Sequence, residues 1–348
     1  MNATNIRLLS QQLVSPQFRT AYEVVEWMGA MQAQEYRMMR WAVGMRMKSP
    51  SMESLEKDFN EGRIIRSHLF RTTWQLVAAE DFRWMTELCG ERNIKAVEGF
   101  LKSYGRTLSE KEYQKGNEII EELLQDRDEI TIEDAIRGFA EKDIDTDRHT
   151  VSIHLRRAEF EGLICSGTLT PKTNTYALTS RKIHTTSLPS KEEAISMLAR
   201  KYFRSHSPAT LEDFVWWSGL RVKEARNGIN AIKDEFGTVN IDGAEYFIHQ
   251  DARTKGMRGS DIHLLPSYDE YLIAYKSRHI ALAPAWKHRA HDNKGIFWPV
   301  ILKGGIVSGN WNITKKGIGY DLFDGNDTIQ EEEIRSEQDR VMRFYDKK

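Results

Sequence analysis

Two cysteines, eight prolines and the want of any long apolar run set the first limits on this chain of 348 residues. Cys89 and Cys165 lie in separate segments, so neither a disulfide framework nor a zinc site is expected, and a reducing cytoplasm fits. Apolar runs extend for only a handful of residues, far short of the roughly 20 that span a bilayer. The opening Met1-Asn2-Ala3-Thr4-Asn5-Ile6-Arg7 lacks the apolar core of a signal peptide. No low-complexity tract, heptad run or collagen-like period is present. No glycine-rich phosphate loop appears either, so no nucleotide cofactor is expected. The ten histidines lack ligand spacing with Cys or carboxylates. His288 and His291 come closest and are read as surface, so no metal is expected.

What is present is a chain able to build cores. Apolar residues make up 40%, with 14 Phe, 12 Tyr and 9 Trp, and the length suggests two or three domains of roughly 100–150 residues. The net charge of −1 averages over a split. Between Arg253 and Lys316 there are eleven Lys/Arg against four Asp/Glu, with His263, His279, His288 and His291 in addition. Between Asp321 and Asp339 there are eight acids and one Arg. Opposed blocks of this kind suggest a basic working surface followed by an acidic tail that screens or solubilises it. Ordinary surface charge scattered by chance is the alternative.

The clearest local pattern starts at Thr131-Ile132-Glu133-Asp134-Ala135, where Thr131 can cap a helix and Asp134 sits in its first turn. A second helix begins near Arg148, with Val151, Leu155 and Ala158 at helical spacing and Arg148, His149, Arg156 and Arg157 off that stripe. Two β-prone runs around Pro171-Lys172-Thr173-Asn174 then read as a hairpin. Helix, turn, basic helix, hairpin is the plan of a winged helix. The plan returns about seventy residues later. A helix at Glu192–Ser205 precedes one capped by Thr210, ended by Ser218-Gly219, and a third starting at Arg221. Asp242-Gly243 is a hairpin turn signal between Phe236–Val239 and Tyr246–Ile248.

The N-terminal third is less regular. Helices are expected at 2–13, 20–34, 51–61, 79–89 and 109–125, with a β-rich stretch from Ile64 to Val77 suggesting a degenerate third winged helix. Residues 255–325 alternate β-prone runs with glycine turns. The expected class is α+β: tandem winged-helix domains followed by a small C-terminal β domain. The divisions fall at 1–108, 109–185, 186–252 and 253–348, the last a basic β domain with the acidic tail. Winged helices present one helix to the major groove and a hairpin to the backbone or minor groove. Contacts to phosphate would be salt-sensitive and independent of sequence. The alternative is that Arg156, Arg157, Arg221, Lys223 and Arg226 are merely solvated helix faces.

The strongest local oddity is Met31-Gln32-Ala33-Gln34-Glu35, two amides at the end of an apolar helix. Alone, such a pair reads as surface or cap. In company it reads otherwise. Gly29-Ala30-Met31-Gln32-Ala33-Gln34, then Phe70-Arg71-Thr72-Thr73-Trp74-Gln75-Leu76-Val77-Ala78-Ala79-Glu80-Asp81, come first. Leu155-Arg156-Arg157-Ala158-Glu159-Phe160-Glu161-Gly162-Leu163-Ile164 follows. Leu264-Leu265-Pro266-Ser267-Tyr268-Asp269-Glu270-Tyr271-Leu272 and Trp298-Pro299-Val300-Ile301-Leu302 complete the series. In that order, from about residue 5 to 315, the chain resembles the winged-helix DNA glycosylases typified by AlkZ and YcaQ.

The resemblance implies tandem winged helices and a β domain in a C-shape around duplex DNA. It also implies excision of alkylated purines, in some members from interstrand crosslinks, and a monomer. Gln32-Ala33-Gln34 matches the family's Gln–aliphatic–Gln motif. Gln75 departs from the family, where His is frequent, and Ser267 stands where a second Pro is common.

The chemistry suits two amides. Hydrolysis of an N-glycosidic bond needs a leaving group, a water and stabilisation of an oxocarbenium-like sugar, tasks in which a carboxylate can act as base or counter-charge. A Gln can only orient water through its carbonyl and NH2. That suffices when the base is already cationic, as in N7- or N3-alkylated purines. Gln34 is the candidate water-positioning residue, and Gln32 the residue that holds the water or the sugar phosphate. Glu35 is a rival base, but on a helix it points about 100° away from Gln34. Arg71 is a candidate phosphate grip and Trp74 a candidate packing residue under the site. An ion pair and a core Trp are the structural alternatives. Asp269 and Tyr271 shape either a cleft or a turn. Arg156, Arg157, Arg221 and Lys223 on the winged helices, and Lys276, Arg278, His279, Lys287 and Arg289 in the basic block, complete the candidate DNA contacts.

The expectation is a cofactor-free, monofunctional DNA glycosylase acting on double-stranded DNA with alkylated purines, away from membranes. A non-enzymatic winged-helix DNA-binding module or regulator is the alternative.

Overall fold

Short side-chain caps start the helices that the sequence marks most plainly. Thr131 accepts the N–H of Asp134 at 3.1 Å while Asp134 accepts that of Thr131 at 2.8 Å. Thr210 and Asp213 repeat the arrangement at 3.0 Å both ways, and Ser109 and Glu112 form a third such box. Each box satisfies two N–H groups that a helix start leaves without partners. The computed structural model describes residues 2–144, 147–183, 187–255, 262–324 and 329–346, so the expected boundary at 185–186 lies outside the described residues. The chain is α+β and divides into two compact units, Met1–Leu55 with Ile195–Lys348, and Glu56–Ala194.

The unit Glu56–Ala194 begins with an antiparallel hairpin of Ile64–His68 and Trp74–Ala78, in which Ile64 faces Ala78 and His68 faces Trp74. A helix of 25 residues, Ala79–Ser103, follows, longer than the 79–89 expected. Gly90 does not break it, because the glycine is where the backbone of another helix comes close: a Cβ there would lie 2.6 Å from the carbonyl oxygen of Phe160. Helices Glu110–Gln125, Ile132–Ala140 and Arg148–Phe160 enclose a core of Ile120, Leu124, Phe139, Val151, Leu155 and Ala158. A three-stranded antiparallel sheet, in the order Ile130–Thr131, Thr175–Leu178, Ile164–Ser166, closes this winged helix.

The other unit holds the second winged helix. Helix Lys191–His206, in this unit from Ile195 onward, precedes Leu211–Ser218, stopped by Gly219 in the left-handed region, and then Val222–Ala231. Strands Phe236–Ile241 and Ala244–His249 turn tightly at Asp242 and Gly243, whose φ values of 51° and 83° are those a two-residue hairpin requires. Beyond them lies a four-stranded antiparallel sheet in the order Gly317–Leu322, Ile306–Thr314, Val300–Lys303, Ile262–Leu265. The acidic run after it coils into a helix, Glu331–Asp346, that buries Ile334, Val341 and Phe344. No helix among the described residues is long and apolar enough to cross a membrane.

Candidate active site

The amide pair lies outside any helix. Ala21–Met28 ends where Gly29 takes φ +79°, short of the 20–34 helix expected, because a left-handed glycine after the last turn stops the ladder. Met31 and Gln32 are extended, and Gln34 lies in the loop before helix Met38–Gly44. Gln32 is 5% exposed and Ala33 is buried, whereas Gln34 is exposed. Residues 33–35 are not helical, so no helical step of about 100° turns Glu35 away from Gln34. The Glu35 carboxyl is engaged nonetheless, since Oε2 accepts the N–H of Met38 at the start of the next helix.

The segment is held from below by a residue 238 positions away. Glu270 Oε1 accepts the backbone N–H of Gln32 at 2.6 Å. Its Oε2 accepts the indole N–H of Trp217 at 3.0 Å and stands 3.3 Å from His206 Nε2. Glu270 is 2% exposed and His206 fully buried, and the Tyr202 ring stacks on the imidazole at 4.8 Å and 11°.

A second polar layer lies behind. Tyr275 donates its hydroxyl to the His206 carbonyl at 2.8 Å and accepts from Gln11 at 3.1 Å. Arg46 donates to Gln11 at 3.1 Å and pairs with both oxygens of Asp269 at 2.8 Å. Asp269 in turn caps Glu270–Ile273 by accepting the N–H of Tyr271 at 2.9 Å. Burial pushes the phenols of Tyr202, Tyr271 and Tyr275 upward, so they keep their protons and serve as hydrogen-bond donors rather than bases.

In the other unit, Trp74 is half-buried. The His68 ring lies 3.9 Å from it and the Arg66 guanidinium 3.8 Å over it. His68 Nδ1 is 2.6 Å from Glu159 Oε2, yet burial outweighs that partner and holds the imidazole below its usual range. Arg156 is half-buried beside this group and its charge also opposes protonation of His68. Arg71 and Thr72, in the turn between the strands, take left-handed φ of 57° and 60°, and Gln75 donates to Thr73 Oγ1 at 3.0 Å.

The remaining basic candidates fall into two kinds. Arg157, on a second buried face of its helix, meets Glu110 at 2.7 Å, Glu98 at 3.5 Å and Glu161, and lies 4.6 Å over Tyr113. Arg289 pairs with Asp321 and lies over Phe323. His279 stands 3.6 Å from Asp242. Arg278 donates to the Leu272 carbonyl at 2.9 Å and lies between Trp216 and Phe297. Arg221, Lys223, Lys276 and Lys287 are exposed, and no ion pair is seen for them among the described residues. Lys276 and Arg278 of the basic block lie on the loop after Glu270–Ile273, a few residues on from the residue that anchors Gln32.

Sequence reasoning passed over Glu270, His206 and Trp217. One signal was available: Glu270 sits inside the Leu264–Leu272 motif, next to Asp269.

A family model described as AlkZ-like, DNA glycosylase AlkZ-like, matches residues 25–322. A Streptomyces sahachiroi protein named interstrand DNA cross-link repair glycosylase is 21% identical over 357 residues, covering 96% of this chain and 94% of its own. The solved structure of Streptomyces sahachiroi DNA glycosylase AlkZ aligns with a TM-score of 0.79 at 20% identity, covering 99% of this chain and 97% of that one. The two share a fold.

Proposed function

This chain belongs to the AlkZ-like DNA glycosylase family, and from that premise we propose that it hydrolyses the N-glycosidic bond of cationic N7- or N3-alkylated purines in duplex DNA, as a monomer, leaving an abasic site. Gln34 positions the attacking water, and Gln32 holds that water or the sugar phosphate. The observation that carries this reading is the pairing of an exposed Gln34 with a buried, main-chain-anchored Gln32, while Glu35 is turned to a helix start. An amide can orient a water but cannot take its proton. Such a site acts only where the leaving base is already positively charged and the bond already weak.

The second winged helix, through Arg221 and Lys223, and the basic block, through Lys276 and Lys287, supply the phosphate contacts to the duplex. The named activity of the Streptomyces relative on crosslinks extends the substrate class to bulky N7 adducts and interstrand crosslinks.

The test is base release from duplex DNA carrying N7-methylguanine, with the wild type beside Gln32→Ala/Gln34→Ala. Release by the wild type alone, with both proteins binding the duplex, supports the assignment. Release from a crosslinked N7 adduct but not from the methylated base narrows the substrate to bulky lesions. No release from either substrate overturns the enzymatic reading in favour of a DNA-binding module.

A further inference from the structure

We propose that Glu270 is the positioning residue of the Gln32–Ala33–Gln34 segment, and that the Trp217 indole and the His206 ring serve to hold its carboxyl in register. This inference rests on the glycosylase reading above and deepens it.

The contact that matters is to the main chain. The bond from Glu270 reaches the peptide of Gln32. The carboxyl grips that backbone N–H, so the placement of its Oε1 sets where the segment leaves Gly29 and runs on to Gln34. Chemistry by oriented water is sensitive to that placement. A displacement of about 1 Å costs on the order of 100-fold in rate.

The carboxyl cannot drift, because both its oxygens are committed. The peptide N–H and the indole N–H are obligate donors, one on each oxygen, and His206 flanks the second. The imidazole is itself fixed, with Nδ1 2.8 Å from Ser205 Oγ and 3.2 Å from the Tyr202 carbonyl, and with the Tyr202 ring stacked on it.

A buried ionisable group of this kind is poorly explained by stability. Well-packed apolar replacements of buried ionic clusters are often as stable or more so, whereas removing one partner is costly. What a fully satisfied polar cluster supplies is a single geometry, here at the turn of chain that carries both amides.

The donor inventory gives a test with an internal rescue. In Glu270→Gln the amide oxygen can still accept from Gln32, but its NH2 then faces the indole N–H, donor against donor. Single-turnover base release is expected to fall about 10- to 100-fold. The affinity for lesion duplex should change by less than about 3-fold, a shift worth under 1 kcal/mol. Adding Trp217→Phe removes the opposing donor and should restore a large part of the rate. Amide hydrogen exchange at Gln32, measured without DNA, should accelerate in Glu270→Gln and slow again in the double variant.

Wild-type rate and wild-type exchange in Glu270→Gln would overturn the proposal. So would a rate that merely tracks loss of folded protein and of DNA affinity. If Glu270→Gln does not fold, Trp217→Phe alone serves: faster exchange at Gln32 and a slower release at unchanged affinity support the proposal, and neither change sinks it. If the wild type releases no base from any lesion duplex, the glycosylase reading fails, and the exchange measurement still decides whether Glu270 holds the segment.

Discussion

Gln34 is exposed and Gln32 buried, and that difference separates chemistry from stability at the two amides. Gln34→Ala removes a group with little structural duty, so its unfolding free energy should stay within about 0.5 kcal/mol of wild type while base release falls about 100-fold. Gln32→Ala should lose rate and also about 1–3 kcal/mol of stability, since burial leaves its partners unsatisfied. Thermal melts beside single-turnover assays check both, and equal stability losses in the two variants would refute the distinction. His263 offers a prediction of another kind. Neither of its ring nitrogens has a hydrogen-bond partner among the described residues, and burial with the charges of Arg340 and Arg46 pushes the imidazole down to about 3. The folded protein therefore keeps it neutral, while the unfolded chain takes up a proton below about pH 6.5. Stability should fall as pH drops from about 6.5 toward 3, by up to about 1.4 kcal/mol per unit from this residue. His263→Leu should flatten the decline seen by urea titration between pH 7 and 5.5. Buried His68 and His154, also shifted down by desolvation, leave a residual slope in the same direction.

At the scale of elements, helix Ala79–Ser103 contains its own control. Gly90 and Gly99 have the same intrinsic cost in a helix, yet a Cβ at 90 would lie 2.6 Å from the Phe160 carbonyl oxygen and one at 99 would meet nothing within 4 Å. Gly99→Ala should stabilise by up to about 1 kcal/mol. Gly90→Ala should destabilise by about 1–3 kcal/mol, because backbone on both sides must move. Opposite signs of the melting shift are the expected result, and like signs would refute the close approach. Elements of this sort also show what the sequence could tell. Thr131 with Asp134, Thr210 with Asp213, and Asp242-Gly243 were legible because each acts within three residues. The end of the Ala21–Met28 helix was legible too, at Gly29, but the apolar trend through Ala30 and Met31 overrode it. The length of Ala79–Ser103 was not legible. It depends on a helix packed seventy residues away, as the burial of Arg157 does. The amide pair was visible in the sequence through its company of motifs, and Glu270 stood inside one of them, but the bond between them was not legible, since nothing local in either segment announces a contact across 238 positions.

Over the whole molecule, the linear count of charge overstates what is free to meet DNA. Eleven basic residues stand between Arg253 and Lys316, but Arg289 is paired with Asp321 and Lys303 with Glu333 at 2.9 Å. Arg278 is spent on the Leu272 carbonyl at 2.9 Å and on two aromatic rings. Part of the acidic run thus neutralises the basic block from within the fold, and fewer of its cations face solvent unpaired than the linear count suggests. Each phosphate neutralised releases counterions, and log Kobs against log salt acquires a slope of about −0.9 per contact. The slope for an undamaged duplex should therefore be far shallower than eleven contacts would give. Lys276→Gln and Lys287→Gln should each weaken binding and flatten the slope by about 1. Arg157→Gln belongs to the other kind: held by Glu110, Glu98 and Glu161, it should leave the slope unchanged and lower the melting temperature, because three carboxylates lose their shared partner. A salt slope that responds to Arg157 and ignores both lysines would reverse the assignment of phosphate contacts, moving them from exposed cations to a paired one.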